Sequence, residues 1–130
     1  MPEKIVILCV DDEENALILR RLVLEKSGFE VLTANSAREA QEVLASRSVD
    51  LILSDQLMPG ITGTELARTV KPMYPQIPFV LVSGVNEMPE GIELTDMFIS
   101  KLEGPVILIQ KITELMTGRR RGLTPRLAEG

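Results

Sequence analysis

Histidine and tryptophan are absent from this 130-residue chain, and cysteine occurs once. Without histidine there is no imidazole metal site, no histidine-based triad and no phosphohistidine carrier. Cys9 has no partner for an internal disulfide, which suits a reducing compartment. Its place inside an apolar run makes it a small core residue. Three phenylalanines and one tyrosine are too few to build base-stacking platforms. The net charge is −5, and the basic cluster Arg119, Arg120, Arg121 and Arg126 comes only at the end. Nucleic acid is therefore not expected as a partner, since phosphate binding needs a concentrated positive face. No run reaches the roughly 18 apolar residues of a membrane span. The apolar stretch 5–10 is too short for a signal peptide and is followed at once by Asp11, Asp12, Glu13 and Glu14. These exclusions leave a cytoplasmic protein with one core, which the length also favours.

What is present is an alternation. Short apolar runs fall at 5–10, 31–34, 51–54, 77–82 and 97–100, mostly without a polar break. Such runs are expected of strands buried on both faces of a parallel sheet. Helical patterns lie between them. The segment 15–26 places Ala16, Leu19 and Val23 on one face and stops before Gly28. Ser36 to Glu39 and Thr62 to Glu65 read as capping boxes, the first opening a stripe of Ala37, Ala40, Val43 and Leu44. Pro105 suits a first helical position ahead of Leu108, Ile109, Ile112, Leu115 and Met116. The alternation implies an open α/β sheet with helices on both sides. One crossover is poor: Pro89 and Gly91 interrupt the place of a fourth helix, which is expected to be short or irregular. The domain is assigned to 1–117, with 118–130 a mobile basic tail or the start of a linker.

In open α/β sheets ligands bind beyond the carboxyl ends of the strands. Asp11 and Asp12 follow the first apolar run, Asp55 the third, Ser83 the fourth and Lys101 the fifth. Three carboxylates, a hydroxyl and an ammonium thus converge on one rim. The acids repel one another and call for a counter-charge, which a magnesium ion with oxygen ligands supplies. Acids after strands also serve as helix N-caps. Asp12 alone fits that role, but the set of five does not.

The pattern Val10-Asp11-Asp12-Glu13, Asp55-Gln56-Leu57-Met58-Pro59-Gly60, Ser83-Gly84 and Lys101 resembles the receiver domain of two-component response regulators, over about 4–116. The resemblance implies a flavodoxin-like (CheY-like) doubly wound sheet of five parallel strands in the order 2-1-3-4-5. It implies a response-regulator receiver, a phospho-acceptor signalling domain and not an enzyme acting on other substrates. Asp55 would take a phosphoryl group from the phosphohistidine of a sensor histidine kinase or phosphotransfer protein. Asp12 and Asp55, with the backbone carbonyl of Leu57, would ligate Mg2+, and Asp11 would act mainly through metal-bound water. Ser83 and Lys101 would contact phosphoryl oxygens. Phe98 matches the aromatic that turns inward on activation, a position equally suited to a plain core aromatic. The downstream protein is not named by the sequence.

The chain departs from that family in two places. Leu102 follows Lys101 where a cis proline is usual, so the Lys101–Leu102 bond is expected trans. The Ser83–Lys101 interval is also short, which removes the usual basis for assigning an output face. Two other readings compete: a receiver-fold docking module indifferent to phosphorylation, and an Mg2+-dependent aspartyl-phosphate hydrolase. The second lacks the usual Asp-x-Asp after the first strand and has no room for a cap.

Overall fold

A computed structural model describes residues 4–84 and 89–120. Five parallel strands, β1 (Val6–Val10), β2 (Glu30–Ala34), β3 (Leu51–Asp55), β4 (Phe79–Ser83) and β5 (Met97–Ser100), lie in the order β2-β1-β3-β4-β5. Among the described residues the four helices are α1 (Glu14–Lys26), α2 (Ala37–Ser46), α3 (Gly63–Val70) and α4 (Gly104–Arg120). The expected doubly wound sheet is present. The strands are short and apolar because each is covered twice, and alternate side chains feed two cores. Ile7, Cys9, Leu51, Leu53, Val80, Val82 and Ile99 meet α1 and α4, where Leu17, Leu24, Leu108, Ile112 and Met116 close the layer. Leu8, Val10, Ile52, Phe79 and Leu81 meet α2 and α3 through Ala40, Leu44, Leu66, Ala67 and Val70. Burial holds the Cys9 thiol protonated, its pKa pushed up to about 12.

Helices start at both expected sites. The reciprocal capping box forms at the second, while at the first the returning bond goes to the residue before the cap. The Ser36 hydroxyl accepts from the Glu39 amide at 3.1 Å, and Glu39 reaches back to the Asn35 amide at 2.7 Å. At α3, the Glu65 amide donates to the Thr62 hydroxyl and the Glu65 carboxylate accepts from the Thr62 amide at 2.8 Å. Gly28 ends α1 with a φ of 98°, the left-handed region that glycine enters without strain.

Three features differ from the sequence pattern or refine it. On α1 the inward positions are Leu17, Arg20 and Leu24, while Leu19 is exposed, so the apolar face assigned to Ala16, Leu19 and Val23 is rotated. Spacing of three and seven residues puts 17, 20 and 24 on one stripe, and the arginine disguises it. In place of a fourth crossover helix, the described part of that segment holds a single 3-10 turn, Ile92–Leu94; 85–88 lie outside the described residues. α4 continues to Arg120, and the remainder of the tail, 121–130, lies outside them too. No cis peptide occurs among the described residues, so the bond before Leu102 is trans.

Candidate functional site

Strand parity builds the site. Asp11 continues the alternation of Ile7 and Cys9, Asp55 that of Leu51 and Leu53, and Lys101 that of Ile99, all on the side facing α1 and α4. The carboxylates of Asp11, Asp12 and Asp55 each offer an oxygen within 4.8 Å of the others. Asp11 and Asp55 are buried, at 2% and 4% exposure, and Asp12 faces solvent. Lys101 Nζ stands 2.6 Å from Asp55 Oδ1 as a close ion pair that lacks hydrogen-bond alignment. Asp11 is held from both sides. Its Oδ1 accepts from the Glu13 amide at 3.0 Å, and its Oδ2 faces Arg20 Nη1 at 3.5 Å. Burial raises the Asp11 pKa against the Glu13 hydrogen bond, Asp55 raises it further, and Arg20 and Lys101 oppose the rise.

The loop after β3 is fixed by backbone and by a buried amide. The Gln56 amide donates to the Val82 carbonyl at 2.9 Å, and the Gly63 amide donates to the Gln56 carbonyl at 2.9 Å. The Gln56 side chain accepts from the Thr64 amide at 3.0 Å and donates to the Thr64 hydroxyl at 3.4 Å. These bonds tie the residue after Asp55 to the first turn of α3. Gly60 turns the loop with a φ of 85°. Ser83 is buried at the end of β4, paired in register with Ser100, and engaged in the surrounding polar contacts. Phe98 is half-buried on the α2–α3 side, opposite the face that carries Lys101. Leu57 is exposed at the rim.

The sequence thus located Asp11, Asp12, Asp55 and Lys101 in one cluster, with Ser83 at the neighbouring strand end. It overlooked Gln56 and Arg20. Gln56 stood in the loop motif after Asp55 with no role assigned, and only its burial and its bonds to Thr64 show its use. Arg20 was detectable as a cation on the stripe of Leu17 and Leu24.

Chemically, the described site sets three carboxylates against two cations, Arg20 and Lys101, leaving a formal excess of one negative charge. Converging oxygens with an uncompensated charge suit a hard divalent cation. The donor set fits magnesium.

Comparison with known proteins places these features. A family model described as the response regulator receiver domain matches residues 7–113. The phosphate regulon transcriptional regulatory protein PhoB of Pseudomonas aeruginosa is 34% identical over 122 residues, covering 89% of this chain; the chain spans 52% of that relative's length. A receiver domain structure from Methanospirillum hungatei is 27% identical with a TM-score of 0.84, covering 92% of this chain and 99% of the other. The response regulator TrrA of Thermotoga maritima, solved in complex with Mg(2+)-BeF, is 28% identical with a TM-score of 0.80, covering 85% and 98%. TrrA has also been solved in complex with the histidine kinase ThkA.

Proposed function

The chain belongs to the response regulator receiver domain family, and from that membership we propose that Asp55 accepts a phosphoryl group and thereby switches a protein-binding surface. The observation that carries the reading is a buried carboxylate at the floor of an acid cluster, with an ammonium 2.6 Å away. Asp11, Asp12 and Asp55, with the Leu57 carbonyl, would hold magnesium. When bound there, magnesium supplies positive charge that screens the nucleophile from an incoming phosphate.

The chain's own residues do the rest. An Asp55 oxygen bonds to phosphorus as the donor's phosphorus–nitrogen bond breaks; the electron pair leaves with the imidazole, which takes a proton from solvent. Phosphoryl transfer asks chiefly for alignment and for charge stabilisation on the equatorial oxygens. Lys101 is placed to meet that charge, and Ser83, one strand over, to donate a hydrogen bond to a phosphoryl oxygen. Drawing Ser83 inward biases the packing of Phe98 and with it the surface of β4 and β5. Acceptance and loss of this group are the only chemistry assigned to the chain.

A sensor histidine kinase or phosphotransfer protein is the donor, a reading supported by the TrrA complex with ThkA. Exposed Leu19 and Leu22 of α1, Leu57 at the rim, and Leu102 and Val106 beside Lys101 provide apolar contacts for a protein donor. No helix among the described residues is long and apolar enough to cross a membrane. Action in the cytoplasm, where such kinases transfer phosphate, completes the proposal. Intact mass after incubation with acetyl phosphate and Mg2+ tests it: one base-labile phosphoryl adduct is expected on wild type and none on Asp55→Asn. An undiminished adduct on Asp55→Asn would assign the acceptor elsewhere.

A further inference from the structure

Arg20 occupies a position where α1 otherwise buries leucine, one turn from Leu17 and from Leu24. Its side chain is 12% exposed and that of Asp11, its ion-pair partner, 3%. Placing a guanidinium there costs desolvation that only a compensating charge offsets, and arginine cannot shed its proton to escape the cost. The compensation comes from Asp11 Oδ2 at 3.5 Å, yet neither that oxygen nor Arg20 Nη1 has a hydrogen bond. The pair is therefore close but loosely matched. Asp55 has its own cation in Lys101, so the two buried acids of the cluster are served by separate positive groups. Beside Arg20 lies a cavity of about 300 Å³ between α1 and α4, lined by Leu19, Val23, Leu108 and Lys101. It leaves the guanidinium room to change rotamer without moving a helix.

We propose that Arg20 is a built-in counter-cation for Asp11 that holds the acid cluster together without metal and competes with the divalent ion for it, setting the magnesium affinity of the site. The inference rests on the reading that Asp11, Asp12 and Asp55 hold magnesium. A fixed positive charge beside the cluster repels a second cation and engages one oxygen of Asp11, so it must be displaced or screened when metal enters. Arg20 acts through Asp11; it is a positioning residue. Its effect has a definite sign. Removing the charge weakens the metal-free protein, whose acids then face one another with less compensation, and tightens metal binding.

The test is a Mg2+ titration of the whole chain followed by backbone amide shifts, on wild type, Arg20→Met and Arg20→Lys. Methionine keeps much of the apolar stem and removes the charge; lysine keeps the charge. Arg20→Met is expected to bind Mg2+ about tenfold more tightly, the scale of one unit charge acting on a divalent ion across a few ångströms of well-screened medium. Arg20→Lys is expected to stay near wild type. Melting temperatures give a second readout: in EDTA Arg20→Met melts below wild type, and saturating Mg2+ raises it by more than it raises wild type. The wild-type protein alone gives a third, because the Arg20 Nε resonance must shift along the same binding curve as the amides. Unchanged or weaker binding by Arg20→Met overturns the inference while leaving the metal site intact, and so does an Arg20 Nε resonance that ignores Mg2+. Absence of Mg2+ binding in wild type and both variants overturns the metal site itself, and this inference with it.

Discussion

Gly63 opens α3, and replacing it with alanine separates helix propensity from packing. Propensity favours the change by about 1 kcal/mol, because glycine loses more backbone freedom in a helix. Geometry opposes it. A Cβ at position 63 would sit 2.5 Å from the Asp55 carbonyl oxygen and 2.6 Å from Leu81 Cδ1. Leu81 is fully buried and Asp55 is fixed in β3, so neither gives way cheaply. The helix end must retreat instead, straining the bonds from the Gly63 amide to the Gln56 carbonyl and from the Thr64 amide to the Gln56 side chain. Overpacking costs about 1–3 kcal/mol and two weakened hydrogen bonds about 1 kcal/mol each. The net loss is then about 2–4 kcal/mol after the propensity gain is subtracted. With one tyrosine and no tryptophan, unfolding is best followed in urea by far-UV circular dichroism. An m-value of about 2 kcal/mol/M turns that loss into a midpoint shift of about 1–2 M. Gly28→Ala is the control, since no atom lies within 4 Å of its added Cβ and only the positive φ is at stake. A Gly63→Ala protein as stable as wild type, or less perturbed than Gly28→Ala, would refute the claim that α3 packs directly on the backbone of Asp55.

Other outcomes follow from contacts away from the acid cluster. Asp96 Oδ2 accepts from the Phe79 amide at 2.7 Å and pairs with Lys71 Nζ at 2.8 Å. Asp96→Ala strands a buried amide and is expected to cost about 1–3 kcal/mol in urea unfolding. Its coupling to Lys71→Met is expected below about 1 kcal/mol because the pair is partly hydrated, so a larger coupling would place the stability in the ion pair instead. Glu65 has its pKa lowered by the Thr62 backbone and side-chain hydrogen bonds. A lowered acid pKa contributes stability above its unfolded value, near 4.5, which is lost as pH falls through the folded value. Glu65→Gln is therefore expected to flatten the acid limb of stability against pH, and an unchanged limb would contradict the capping account. Cys9, its thiol pKa raised to about 12, is expected to resist iodoacetamide at pH 8 until the protein unfolds. Because the unfolded thiol ionises first, the raised value also lowers stability as pH climbs above 9. Prompt labelling of native protein would show that β1 opens locally.

Much of this fold was legible because its signals are local. Five short, mostly uninterrupted apolar runs marked strands covered on both faces, and the cap patterns at Ser36 and Thr62 marked where helices begin. The site was legible because strand ends in such sheets converge, so Asp11, Asp55 and Lys101 needed only their places in the chain. The rest depended on contacts that no local pattern carries. The inward face of α1 was misassigned because Arg20 sits on it and Ile18, Leu19 and Leu22 point outward. Hydrophobicity alone reads that helix rotated. Gln56 and Thr64 pair across a loop, and neither residue type announces a buried bond. The interruption at Pro89 and Gly91 pointed to a short or irregular element, and the described part of that segment holds the 3-10 turn Ile92–Leu94, too short to leave a periodicity.

The central claim is that Asp55 itself carries the phosphoryl group. Borohydride reduces an aspartyl phosphate to homoserine, so the acceptor can be located by peptide mapping after treatment with phosphoramidate, Mg2+ and then borohydride. Homoserine at position 55 alone, and none when Mg2+ is replaced by EDTA, is the expected result. Homoserine at position 11 or 12, or none at all in protein whose Mg2+ binding has been verified, would contradict it.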